Sequence, residues 1–129
     1  MENLKIEINE YYKVLNLHKA ILEAKFHENP DNEYIAGSPI IAELCNEIVD
    51  LLARMEMHKK GKEDWTNWRQ LCNQDYYKQR ILLLIAKHEN WKKLTDDEKK
   101  EKVRCYISPF SCSDDEMLKI VEELDHKEL

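Results

Sequence analysis

The scarcity of chain-breaking residues constrains the fold of this chain more than any other feature of its sequence. The 129 residues include only two glycines and three prolines, while 36% of them are charged. Tight turns draw on glycine and proline, so a fold built from many short strands would lack the residues that its turns require. The sequence therefore predicts an all-α fold, a compact bundle of about five to six helices that forms one domain over residues 1–129.

The first half of the chain predicts two helices and one loop. Apolar side chains recur at steps of three and four residues over residues 3–26, which is typical of an amphipathic helix, and an interruption is expected near Asn16. Residues 27–37, HENPDNEYIAG, predict a loop. Ser38 and Pro39 then predict a helix start, because serine caps the free amides of the first turn and proline has no amide to leave unpaired.

The second helix is predicted to end near residues 60–61, and the chain then runs from 62 to 93 without glycine or proline. A helix turns by ~100° per residue, and on that basis two apolar stripes in this stretch lie on faces roughly 140° apart. One straight helix would therefore have to pack against two separate hydrophobic cores. A break is expected at residues 73–75. The first stripe holds Trp65, Trp68, Cys72 and Tyr76, and the second holds Tyr77, Ile81, Leu84, Ile85, His88 and Trp91.

Two further helices are predicted by their starts. Residues 95–98 and 113–116 read T-x-x-E and S-x-x-E, the pattern of a capping box, and residues 107–111 form the connection between the two helices. Residues 78–104 carry nine basic and five acidic groups, while residues 113–129 carry two and seven. Either the acidic tail folds back onto the basic stretch, or both are solvated faces, and the second interpretation is preferred.

An acidic stripe on the second helix is the sharpest chemical feature of the sequence. Glu43, Glu47 and Asp50 fall within ~60° of arc on a helical wheel and could converge on one cation. They border the apolar face of the helix, which is expected to include Leu44. Arg54 lies on the same stripe, and an Asp50–Arg54 ion pair, worth ~0.3–0.5 kcal/mol, would explain the stripe without any metal.

The segment ELCNEIVDLLARM, residues 43–55, resembles the second half-motif of the MazG-like all-α nucleotide pyrophosphohydrolases. In that family an ExxD pair on one helix joins an ExxE pair on an earlier helix to hold magnesium. Glu47 and Asp50 match the ExxD pair, so the resemblance implies a magnesium-dependent nucleoside triphosphate pyrophosphohydrolase with Glu47 and Asp50 as metal ligands. Glu43, on the same helical stripe, completes the candidate metal set of Glu43, Glu47 and Asp50. The chain departs from the family in the first half-motif, because its ExxE pair at residues 7–10 stands too far upstream.

A second candidate region combines aromatic and arginine side chains. Trp65, Trp68, Arg69 and Tyr76 belong to the residue types that contribute most to binding surfaces, which predicts a partner-binding patch. The alternative is that the tryptophans fill the middle of the bundle and Arg69 seals its edge. Cys72, like Cys45, is expected in the core.

Charge and motif content exclude several classes of function. A formal net charge of −6 argues against binding nucleic acid by default. No segment reads as a signal peptide or membrane span, and the four cysteines are spaced as free thiols, so a cytoplasmic location is expected. Nucleotide-binding glycine loops and the HExxH zinc motif are absent.

The sequence thus predicts a small protein-binding or regulatory protein with no cofactor and no catalysis of its own. Such a protein could bind a protein partner or a second copy of itself. The alternative is the magnesium-dependent hydrolase.

Overall fold

A computed structural model gives the structure of residues 4–57, 65–88 and 90–126. Within these ranges the chain forms seven α-helices and no strand, which confirms the all-α fold class. The helices are α1 (Tyr11–Lys25), α2 (Tyr34–Gly37), α3 (Pro39–Met57), α4 (Trp65–Trp68), α5 (Asp75–Ala86), α6 (Asp96–Ile107) and α7 (Asp114–Asp125), with 3₁₀ turns at Leu71–Asn73 and Trp91–Lys93. The predicted end of the second helix near residues 60–61 lies outside the described residues.

Helix α1 begins later than the sequence predicts. The Glu10 carboxylate accepts a hydrogen bond from the Tyr12 amide at 3.0 Å, which caps the helix, and the chain before it is not helical. The predicted interruption near Asn16 is also wrong, because Asn16 lies inside an unbroken helix and its side-chain amide donates to the carbonyl of Tyr12. The Tyr11 hydroxyl donates to Glu56 near the end of α3, so α1 and α3 pack antiparallel.

The start of α3 follows the prediction. The Ser38 hydroxyl accepts a hydrogen bond from the Ile41 amide at 3.2 Å, and Pro39 is the first helical residue. The buried face of the helix consists of Ala42, Cys45, Val49 and Leu52. Leu44, which the sequence assigns to the apolar face, is instead 41% exposed. The core-facing side of α3 therefore lies farther from the acidic stripe than the sequence predicts.

The predicted break at residues 73–75 is confirmed, because a 3₁₀ turn ends at Asn73 and α5 starts at Asp75. Among the described residues, the helix before the break is α4, which ends at Trp68 and so stops short of the predicted break. Cys72 is exposed, so its assignment to the core is wrong. The second apolar stripe does face the core, where Ile81 and Ile85 are almost fully buried, although α5 ends at Ala86 and Trp91 reaches the core from the following 3₁₀ turn.

Helices α6 and α7 begin as predicted. Thr95 and Glu98 exchange hydrogen bonds as a complete capping box, and Ser113 caps α7 through the Glu116 amide at 3.1 Å. Ser108 ends α6, and the Ser108–Pro109 peptide bond is cis. Two ion pairs join α7 to the basic stretch, Lys99–Asp125 at 2.7 Å and Lys78–Glu116 at 3.8 Å, so the preference for two separately solvated faces is wrong.

A buried lysine joins the first helix to the end of the sixth. Lys25 is fully buried, and its ammonium donates to the carbonyls of Cys105 at 2.8 Å and Tyr106 at 2.7 Å. Both carbonyls belong to the last turn of α6, where the helix has no amides of its own to satisfy them and carries a partial negative charge. Burial nevertheless lowers the pKa of Lys25 to about 7, while the neighbouring thiols of Cys45 and Cys105 act in the opposite direction.

The titration of Lys25 predicts that the protein becomes more stable above neutral pH. Its pKa is about 7 in the native state and near the ordinary 10.5 in the unfolded chain, so the native state binds fewer protons between these values. The free energy of unfolding should therefore rise by about 2 kcal/mol from pH 7 to pH 9 relative to a Lys25→Met variant. Urea unfolding of both proteins at the two pH values measures this difference. Parallel pH profiles would contradict it.

Candidate functional site

A groove of about 740 Å³ lies beside α3 and is closed by the segment after α4 and by the chain around the end of α6. This volume falls within the range of small-molecule and peptide pockets in proteins. Its floor, meaning the lining residues that are buried, is apolar except for Ser108 and consists of Ala42, Cys105, Ile107, Ser108, Pro109, Phe110 and Met117. The charged residues that line it are Glu43, Glu47, Asp50, Arg69, Glu101, Arg104 and Asp114.

The acidic stripe of α3 forms one wall of this groove. Glu43, Glu47 and Asp50 are all exposed, because the opposite side of the helix is the one that packs into the core. Glu43 and Glu47 are one turn apart, which places them about 6 Å from each other along the helix axis. The three carboxylates therefore stand in a row that faces the groove and the solvent.

Arg69 fixes the shape of the groove by joining its two sides. Its guanidinium donates to the Asp50 carboxylate at 2.6 Å, to the Asn46 side-chain oxygen at 2.8 Å and to the carbonyl of Pro109 at 3.1 Å. The Asn46 amide in turn donates to the Ser108 hydroxyl at 3.3 Å. Asp50 is therefore paired with Arg69 from a different part of the chain, and the expected pair with Arg54 does not form.

Backbone hydrogen bonds hold the same two segments together. The Ser111 amide donates to the carbonyl of Arg69, and the Leu71 amide donates to the carbonyl of Ser111, both at 2.8 Å. Four hydrogen bonds thus join residues 108–111 to α3 and to residues 69–71. A single sequence carries no signal for this network, because its members are separated by up to 62 residues.

The groove is electrostatically negative. Five carboxylates and two guanidinium groups line it, and Asp50 and Glu101 are already paired with Arg69 and Arg104. The remaining carboxylates, those of Glu43, Glu47 and Asp114, have no ion pair with any residue that the structure describes. Sequence reasoning missed Glu101, Arg104 and Asp114 as members of this site, although the spacing of Glu101 and Arg104 predicts their surface ion pair.

The stripe does not have the geometry of a magnesium site. Across the described ranges, no three histidine, cysteine, aspartate or glutamate side chains lie close enough to share a metal ion. The Asp50 carboxylate is occupied by Arg69, and all three carboxylates come from one helix, whereas magnesium requires nearly octahedral coordination by oxygens. These residues therefore do not fit the metal that the family resemblance implies.

Two cysteines line the groove, and both have raised pKa values. Burial raises the pKa of Cys105, and Glu101 raises it further. Burial also raises the pKa of Cys112, and Glu116 adds to this effect. The thiolate is the reactive form of cysteine, so neither side chain is activated as a nucleophile.

The four residues of the predicted partner-binding patch lie in three different environments. Trp65 and Trp68 contact each other edge-to-face with 5.2 Å between ring centroids, and both contact the imidazole of His18. Arg69 points into the groove network, and Tyr76 is 66% exposed on α5. Both tryptophans are half-buried, and Trp68 packs against the core, with 4.8 Å between its ring centroid and that of the buried Phe110, so the tryptophans border the core and do not fill its middle. Arg69 does seal an edge, as the alternative prediction expects.

Comparisons with known proteins add no family to this description. No protein-family model matches the chain, and neither a curated protein nor a solved structure shows significant similarity to it. In the part of the chain that the structure covers, none of the helices combines the length and apolar character needed to span a membrane.

The His18 contacts predict a loss of stability in acid. Burial, with a smaller contribution from the charge of Lys19, lowers the pKa of His18 to about 4, while the unfolded chain keeps the ordinary value of 6.5. Between these values only the unfolded state binds the proton, so the free energy of unfolding should fall by about 2 kcal/mol from pH 7 to pH 4.5. A His18→Leu variant should lack this component of the acid sensitivity. Urea titrations of both proteins test it, and equal losses of stability would contradict the assignment.

Proposed function

We propose that this chain is a protein-binding module, without catalysis of its own, whose groove accepts a cationic amphipathic segment of another protein. The observation that carries the proposal is the pairing of an apolar floor with three carboxylates, those of Glu43, Glu47 and Asp114, that have no cationic partner among the described residues. An occupant with lysine or arginine beside apolar side chains would satisfy both features. A cytoplasmic location is part of the proposal, and the four free thiols support it.

The charge of the whole chain supports this choice of partner. A formal net charge of −6 attracts a basic segment from a distance and repels nucleic acid and anionic membranes, neither of which is proposed as a partner. The α3 wall also sets the spacing of the basic residues in the partner, because Glu43 and Glu47 lie one helical turn apart. A helical partner with basic residues at positions i and i+4 would place each cation opposite one of these carboxylates.

Reversing the charge of the α3 wall should abolish this binding. The probe is a fluorescein-labelled 18-residue helical peptide of leucine and lysine, with its lysines one turn apart, followed by fluorescence anisotropy. Two attractive pairs become repulsive in the Glu43→Lys/Glu47→Lys variant, so we expect its dissociation constant to rise at least tenfold, which corresponds to about 1.4 kcal/mol.

The matched control is Glu122→Lys/Glu123→Lys, which changes the net charge equally on exposed positions of α7 outside the groove. We expect this control to bind the peptide within about threefold of the unmodified protein, because charges beyond a Debye length of about 8 Å are largely screened at physiological salt. If both variants lose the same affinity for the peptide, the net charge of the protein explains the loss and the groove does not. No binding by the unmodified protein would refute the proposal directly.

The hydrolase alternative makes a separate prediction. A ligand present at a hundred times its dissociation constant stabilises a protein by about 2.7 kcal/mol, which a thermal melt readily detects. Since the three acidic side chains do not form a metal site, we expect no change in Tm with magnesium and nucleoside triphosphates and no release of pyrophosphate. A shift in Tm that disappears in a Glu47→Gln variant would restore the enzyme hypothesis.

A further inference from the structure

The chain before α1 is an exposed segment that belongs to no helix. Residues 4–9, LKIEIN, have no helical or turn structure, and Leu4 and Ile6 are each 89% exposed. Among the described parts of the chain, no backbone group of residues 4–9 takes part in a hydrogen bond. The segment therefore presents unpaired amides and carbonyls together with apolar side chains to solvent.

The side chains of this segment alternate between two faces. Lys5 and Glu7 form an ion pair at 2.8 Å, and residues two apart share a face when the chain is extended. In an extended conformation Leu4, Ile6 and Ile8 lie on the opposite face, where Leu4 and Ile6 are exposed and Ile8 is half-buried. An exposed strand with an apolar face, no proline or glycine and no net charge is a template for pairing with another strand.

We propose that residues 4–8 form a homodimerisation strand, which pairs antiparallel with the same strand of a second copy of this chain. The two-fold axis of the pair passes through Ile6, so that each Ile6 faces the Ile6 of the other copy. Such an interface is isologous, meaning that the same residues contribute from both sides.

The charges of the segment are self-complementary in this register. With Ile6 opposite Ile6, Lys5 of each copy lies opposite Glu7 of the other, so that two ion pairs form across the strands. Leu4 of each copy then lies opposite Ile8 on the apolar face. Opposite charges and apolar pairs directly across an antiparallel ladder are the contacts that stabilise it.

Other registers are disfavoured by the same residues. A shift of the two-fold axis to Lys5 or to Glu7 places like charges opposite each other, and a parallel in-register pair does so at both positions. A shift that puts the axis between two residues sets Lys5 or Glu7 against an isoleucine and mixes the two faces. The sequence KIE thus specifies both the orientation of the strands and their register.

The folded domains leave room for this pairing. Glu10 lies four residues beyond the axis at Ile6, so the two Glu10 residues are about 26 Å apart at ~3.3 Å per residue. Helix α1 begins directly after Glu10 in each copy, which places the two domains at opposite ends of the ribbon. At 0.15 M salt this separation exceeds the Debye length of about 8 Å, so repulsion between the two acidic domains is largely screened.

Charge-swapped variants of the full chain test the pairing by sedimentation velocity. The unmodified protein should show a concentration-dependent dimer, and Lys5→Glu and Glu7→Lys should each raise the dimer dissociation constant at least tenfold. An equimolar mixture of these two variants should form heterodimers, because every facing pair is then opposite in charge. The double variant Lys5→Glu/Glu7→Lys should recover the homodimer.

The control Lys13→Glu makes the same charge change on an exposed position of α1 and should leave the dimer unchanged. The substituted positions lie outside the hydrophobic core, and far-ultraviolet circular dichroism verifies that each variant keeps its helices. The inference is overturned if the unmodified protein remains monomeric up to 0.2 mM, if the single variants dimerise normally, or if their mixture fails to associate. The Glu43→Lys/Glu47→Lys variant should dimerise normally, so the groove and the strand are tested independently.

Discussion

The hydrogen bonds from Lys25 to the end of α6 are the contact on which the arrangement of the helices depends. An ammonium ion is expensive to bury, and this one is tolerated because two carbonyls at the negative end of a helix accept its protons. The contact joins residues 80 and 81 positions apart in the sequence. It therefore fixes the end of α1 against the end of α6, and the position of the turn that follows α6 is set by the same contact.

A second cation acts on the same part of the chain from the other side. Arg69 donates to the carbonyl of Pro109, just beyond the two carbonyls that Lys25 satisfies. The end of a helix followed by a turn leaves several carbonyls without intrahelical donors, and this protein satisfies three of them with long basic side chains from distant segments. Because Arg69 also binds Asp50 and Asn46 on α3, the groove is a consequence of how the end of α6 is stabilised.

The features that the sequence predicts correctly are those decided by local physics. The start of α3 at Pro39, the capping box at Thr95 and the break before Asp75 each follow from a few neighbouring residues. The start of α1 was mispredicted because Leu4, Ile8 and Tyr11 fit a helical period, while Leu4, Ile6 and Ile8 fit a strand period equally well. Where a segment fits both periods, its tertiary contacts and the helix caps determine its secondary structure. Here Glu10 caps the helix, which therefore begins at Tyr11.

The candidate site was only partly predictable for the same reason. The row of Glu43, Glu47 and Asp50 is visible in the sequence, but its role depends on Arg69 and on the acidic residues contributed by α6 and α7. Carboxylates that share one groove repel each other, and this repulsion opposes folding. Proteins keep such unfavourable arrangements mainly where they serve a function. The proposed cationic partner would neutralise the carboxylates of this groove that have no basic neighbour among the described residues.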